Sequence, residues 1–228
     1  MAKADFHCAL TYTLALAAGY PEDEALKMGW SAGIVDTHDI TRSASINAMD
    51  TLAQLYQLQP FHFIPGETSI VEPNSANAQY IVNLARIGNP YRFGIALHML
   101  QDTFFHQGWS GLWENVNEVP PEDIIQWGTP AIGHAKLGNV PDNITTDWRW
   151  TDPRKGYGEV IDNRLRAMDA AKATWHFLRR GAPFPDIEHL IRGEYPFSLF
   201  AVSVDADMER GFRTAARKHL AAFLEVTA

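Results

Sequence analysis

The sequence predicts an all-α fold, a single helical domain over residues 1–228 built around one buried central helix, with a long ordered loop at residues 109–153. Three observations carry this reading. Apolar residues recur at helical spacing through most of the chain, no segment shows the strict alternation of a half-buried strand, and the stretch Tyr91–Gly108 is apolar on nearly every side.

Residues 4–18 read as a first helix closed by Gly19. Pro21 opens a second, with Glu22, Asp23 and Glu24 in the first turn, where the positive end of the helix dipole favours acids. It runs to about Val35. A third helix covers roughly residues 43–58 and a fourth roughly 75–87, separated by a loop punctuated by Pro60, Pro65 and Pro73. Asn89 and Pro90 then supply a capping residue and a first-turn proline for the central helix, and Gly108 stands where helices commonly stop. Residues 109–153 are rich in Trp, Pro and Gly, too polar for a core element and too aromatic for disorder. Long ordered loops of this kind cover or build sites. A long helix is expected over about 156–180 and a last one over about 205–225.

Within the central helix, His98, Asp102 and His106 fall at i, i+4 and i+8. At about 100° per residue the three span only about 80° of the helix surface and stack along one stripe. Phe93, Leu97, Leu100 and Phe104 line the other side, while Met99 and Phe105 flank the polar stripe. A carboxylate buried between two imidazoles needs a partner charge, and a divalent metal ion supplies one. A hydrogen-bonded polar network in the core would use the same residues, so this motif alone divides evenly between the two.

Composition narrows the function classes. The formal charge is −8, from 19 basic and 27 acidic residues, which excludes a backbone-wide footprint on a nucleic-acid duplex but not a small phosphate ester. The single cysteine, Cys8, rules out an intrachain disulfide and a thiolate zinc site, and is expected to be a small buried residue. Asp5 and His7 interrupt the apolar run after Lys3, so no signal peptide is read, and no apolar stretch reaches the ~18 residues of a membrane span. A soluble, cytoplasmic protein is the expectation.

Nine histidines are present, and six of them precede residue 135 in segments that mix ionisable residues with small or aromatic neighbours. His7 lies in "ADFHCAL". Asp36, His38 and Asp39 end "SAGIVDTHDI". His62 sits in "PFHFIPG" and His134 in "AIGHAKLG". Singly, each has a plain structural explanation as a helix end, turn or packed loop residue. Together with His98, Asp102 and His106 they form a donor set of imidazole and carboxylate that suits zinc, with iron or manganese as alternatives. Their number points to two or three divalent ions. His176, His189 and His219 read as surface or structural.

The segments "DFHCALTYTLALAAGY", "SAGIVDTHD", "FHF", "LHMLQDTFFHQGWSG" and "GHAKLGNVPD", spanning residues 5–142, resemble the zinc-dependent phospholipase C and single-strand nuclease superfamily. More closely, they look like an uncharacterised bacterial branch of it. The resemblance implies an all-α fold with a trinuclear zinc cluster that hydrolyses phosphoesters. It places Asp36, His62, His98 and Asp102 on one ion, His7 with Asp102 on a second, and His106 with His134 on a third. His38 or Asp39 could take the place of Asp36. Two departures stand out. The superfamily's N-terminal tryptophan amine has no counterpart, leaving Asp5 as a candidate replacement. The carboxylate expected four residues after the late histidine is Gly138, with Asp142 as the near substitute.

The mechanism implied is hydrolysis by metal-activated water, with Asp36 as ligand and base. Gln101, Gln107 and Thr103 are candidates to orient ligand imidazoles. Trp109, Trp113 and Trp127 could wall a pocket for a small-molecule substrate or could simply anchor the loop; Arg149 and Arg154 could meet an anionic one. Two alternatives remain: an HD-type phosphohydrolase or other His/Asp metal enzyme, drawing on His38-Asp39, and a non-catalytic helical metal-binding protein. The sequence carries no signal of oligomeric state.

Overall fold

A computed structural model of the chain describes residues 4–41, 54–155, 159–179, 181–187 and 205–227. Six long helices stand among them: α1 (Ala4–Ala17), α2 (Glu22–Ile34), α3 (Ala76–Ala85), α4 (Pro90–Phe105), α5 (Asn163–Leu178) and α6 (Ala206–Thr227). The fold is mainly helical but not purely so. Strand β1 (Arg149–Thr151) pairs antiparallel with β2 (Val160–Asp162), setting Trp150 opposite Ile161. The helix expected from residue 156 therefore starts later. Asp162 caps it, its carboxylate accepting from the Arg164 and Leu165 N–H groups. Strands of three residues are too short to leave a period-two signal in the sequence.

The helix expected over 43–58 falls largely outside the described residues. Its described end, Gln54–Leu58, is a π-helical turn that runs into one α-turn, Gln59–Phe61.

Helix α4 is the axis of the molecule and touches each of the other five long helices. Asn89 caps it by accepting from Tyr91 N and Arg92 N, and Pro90 occupies the first turn, where no N–H partner is lost. Every residue from Phe93 to Thr103 is buried. The helix ends at Phe105. His106 is the capping residue beyond it, its N–H still bonded to the Asp102 carbonyl, and Gly108 takes a left-handed turn at φ +82°.

Close approach of α2 to α4 depends on Gly94. A Cβ there would lie 2.2 Å from the Met28 carbonyl oxygen and 2.1 Å from Ser31 Oγ. Only glycine permits that crossing, which carries Asp36, two residues beyond the end of α2, alongside His98. On the other side, α5 presents Ala167, Ala170 and Ala171 to the core, and α6 buries the stripe Met208, Phe212, Ala215, Ala216 and His219. Cys8 is only partly buried.

The loop over 109–153 is better packed than its composition suggested. Trp109, Val119, Ile132, Leu137 and Trp150 join Leu58, Phe63, Val71 and Ile161 in a second apolar cluster. Asn117 ties the loop together, accepting from Ser110 N and donating to the carbonyls of Ser110, Leu112 and Ala131. No helix among the described residues is long and apolar enough to cross a membrane.

Candidate metal centre

The histidines and aspartates singled out in the sequence converge from five places in the chain. His7 comes from α1, Asp36 from the turn after α2, and His62 from the residue after the Gln59–Phe61 turn. His98 and Asp102 come from α4, with His106 at its cap, while His134 precedes one 3₁₀ turn of the loop and Asp142 ends the next. Three groups result: His7, His98 and Asp102; Asp36, His62 and His98; and His106, His134 and Asp142. In each, one donor atom per residue lies within 4.8 Å of the others, close enough to share an ion.

Asp102 is the hub. Its Oδ1 lies 3.2 Å from His7 Nε2, while its Oδ2 lies 3.0 Å from His62 Nδ1, 3.1 Å from His98 Nε2 and 3.8 Å from His106 Nδ1. The two oxygens thus face different groups, as a bridging carboxylate requires. Asp36 Oδ1 stands 3.8 Å from both His62 Nδ1 and His98 Nε2, and its buried Oδ2 has no hydrogen-bond partner. In the third group Asp142 Oδ1 is 3.2 Å from His106 Nε2, and Oδ2 is 3.2 Å from His134 Nε2.

The tautomers follow from what holds each ring. The Thr174 hydroxyl donates to the Ala170 carbonyl, so its oxygen is left to accept from Gln101 Nε2, which also donates to Thr11 Oγ1. That fixes the Gln101 amide with Oε1 toward His7, where it accepts from Nδ1–H at 2.7 Å. His7 Nε2 then faces Asp102 without an aligned hydrogen bond, and although burial opposes charge on this ring, Asp102 and Asp36 raise its pKa. A ring N–H tied to an oxygen recurs three times, with His62 Nδ1 and His106 Nε2 in hydrogen-bond contact with Asp102 and Asp142. His62 Nε2–H donates to the Thr41 carbonyl at 2.8 Å, His106 Nδ1–H to the His62 carbonyl at 2.6 Å, and His134 Nδ1–H to the Gly138 carbonyl at 2.7 Å. In each ring the second nitrogen faces a carboxylate. Imidazoles that ligate metals are held in this way, one N–H on an oxygen and the other nitrogen free to coordinate.

The electrostatics point the same way. Burial opposes ionisation of Asp102 and Asp142, yet the neighbouring imidazoles hold both well below the usual carboxylate range. Burial also opposes charge on His106, but Asp102 and Asp142 outweigh it and push that ring up to about 9. His134 is pushed down to about 4, chiefly by burial. A neutral His134 that has spent its one N–H on Gly138 turns a lone pair toward an ionised carboxylate, a repulsion that a cation between them would reverse. An ion entering this group would displace the His106 proton.

The family of unknown function DUF6765 matches residues 2–192. The chain belongs to that family. No curated protein and no solved structure matches it. All the candidate ligands that meet in the three groups lie inside the matched span, whereas α6 lies beyond it.

Other expected site residues lie elsewhere. His38 Nε2 pairs with Glu209 Oε1 on α6 at 2.7 Å and its Nδ1 lies 2.9 Å from the exposed Asp39, so among the described residues neither joins one of the three groups. Trp109 is fully buried with the Arg154 guanidinium 3.2 Å from its ring centroid, so it anchors the loop. Trp113 and Trp127 are exposed, at 52% and 73%. Two surface pockets, one lined by Trp148, Arg149 and Phe184 and the other by Val116, Pro120 and Arg154, include neither a candidate ligand nor any of the three tryptophans. Gln107 is exposed, and Thr103 Oγ1 donates to the Leu100 carbonyl, so of the three residues considered for orienting ligands only Gln101 does so. His176 is exposed and His219 fully buried; the Asp5 side chain and His189 lie outside the described residues.

Gln101→Leu keeps the volume and removes the acceptor that sets the His7 tautomer. Affinity for one ion should fall about 10- to 100-fold, the usual cost of losing an outer partner of a ligand imidazole. A competitive titration against a chromophoric chelator measures this, and unchanged affinity would show that the His7 ring needs no such anchor.

Proposed function

We propose that the chain is a metal-dependent hydrolase that cleaves a phosphoester of a small molecule or lipid head group with metal-activated water. The observation that carries this reading is the fourfold arrangement of His7, His62, His106 and His134, each with one ring N–H tied to an oxygen and its other nitrogen facing Asp102 or Asp142. Donor sets of imidazole and carboxylate without thiolate favour zinc, with iron or manganese as alternatives. Bound at these groups, two or three divalent ions would lower the pKa of water and offset the charge that develops on a phosphoryl group.

The chain's own residues divide the remaining work. His7 and His62 hold their free nitrogens in fixed directions, His98 adds a nitrogen from α4, and Asp102 supplies negative charge between two groups. Asp36 presents Oδ2, buried and without a hydrogen-bond partner, as the atom that accepts a proton from water. The resemblance to the zinc-dependent phospholipase C and nuclease superfamily supports the same chemistry, with Asp142 standing for the carboxylate missing at Gly138.

The test is a panel of activated phosphodiesters and phosphomonoesters. Turnover is expected, abolished by a strong chelator and restored by added zinc. A second reading, a non-catalytic helical metal-binding protein, is favoured by burial: His7 and His98 are 0% exposed and Asp102 2%. It predicts that the chelator lowers thermal stability while no member of the panel is hydrolysed at all.

A further inference from the structure

The C-terminal helix α6 lies beyond the span that the family pattern covers, yet it holds both chain segments that deliver the second group's outer ligands. The first hold is on the Asp36 turn. His38 Nε2–H donates to Glu209 Oε1 at 2.7 Å, Arg213 Nε donates to the same Glu209 oxygen at 2.8 Å, and the other ring nitrogen, Nδ1, meets Ile40 N–H and, at 2.9 Å, Asp39 Oδ1. Phe212, one helical turn along, sets its ring 4.8 Å from the His38 ring. Inside the turn, Thr41 Oγ1 donates to the Val35 carbonyl and the Thr41 carbonyl accepts from His62. Fixing His38 therefore fixes a closed turn that carries Asp36 at one end and orients His62 from the other. The second hold is on Phe61, the residue before His62, whose ring lies 5.7 Å from that of His219 on the same helix.

The third group meets the held segment at one point, the His62 carbonyl that accepts from His106 Nδ1–H. His7 is set by Gln101, Thr11 and Thr174, and the third group by the carbonyls of His62 and Gly138. We infer that His38 and Glu209 are positioning residues that place Asp36 for one ion of the proposed centre, making α6 part of that site. This inference rests on the metal-centre reading.

The experiment is zinc titration of the whole chain against a chromophoric chelator, for the natural protein, Glu209→Ala and Glu209→Gln, with circular dichroism to match the folds. Glu209 is partly exposed, so its replacement leaves the core packing intact. Glu209→Ala should weaken one ion on the order of tenfold and leave the others at natural affinity. Glu209→Gln, which keeps the acceptor for His38 Nε2–H, should recover most of that loss. Equal affinities for every ion in Glu209→Ala overturn the inference, as does a uniform weakening of all of them or a Gln variant no better than Ala. A natural protein that binds no zinc defeats the metal-centre reading itself, which separates the two failures.

Discussion

Asp102→Ala is expected to release the ions of both helix-borne groups and to lower the melting temperature by on the order of 10–20 °C. The side chain lies within 3.2 Å of ligand nitrogens on three histidines, at 2% exposure, so nothing in the surroundings can replace it. Two effects combine. Removing one partner of a buried ionic cluster costs about 3–5 kcal/mol, because the remaining groups lose their compensation. Losing a bound ion removes a further linkage contribution, about 4 kcal/mol at a free ion concentration a thousandfold above Kd. These do not simply add, and for a chain of this size each kcal/mol moves the melting temperature by about 2–4 °C. His98→Ala should release at least one of these ions, since His98 belongs to both groups and a single ring nitrogen serves one ion. The third group, His106 with His134 and Asp142, should retain its ion in either variant. Metal analysis beside a thermal melt reads both effects, and full metal content in both variants would remove the centre from the account.

Asp36→Asn should leave metal content near normal at saturating zinc while lowering phosphoester turnover about 10²-fold or more, the range associated with losing a general base. Asparagine keeps the shape and one oxygen donor. It removes the charge and the basicity of an oxygen that has no hydrogen-bond partner. Asp39→Ala is the comparison within the same segment: Asp39 is exposed, belongs to none of the three groups and touches the site through His38 Nδ1 at 2.9 Å, so a smaller loss is expected. Should Asp39→Ala cost more turnover than Asp36→Asn, the proton acceptor has been misassigned.

Much of the frame was legible because helix signals are local. Asn89-Pro90 marks the start of α4, Pro21 with three acids marks α2, and Gly19 marks the end of α1. The candidate ligands were legible for a different reason, since imidazoles and carboxylates in apolar segments are costly to bury without partners. Asp142 was readable only as a substitute for a missing carboxylate, and it meets His106 and His134. What holds the rings was not legible. Three of the four oxygens that accept their N–H groups are backbone carbonyls, of Thr41, His62 and Gly138, and a carbonyl leaves no trace in residue type. The fourth depends on Thr174, which reaches Gln101 from 73 positions away. His38 and Asp39 looked as eligible as Asp36 because the choice among them depends on which way a turn faces. Glu209, 171 residues from His38, draws that ring away from the three groups. The strands at 149–151 and 160–162 were missed because three residues hold no readable period.

The most direct measurement is elemental analysis of the untagged protein after exhaustive dialysis against metal-free buffer. Two or three divalent ions per chain are expected, zinc foremost, with two lost in Asp102→Ala. A metal-free natural protein that takes up no zinc, iron or manganese on titration would contradict this expectation.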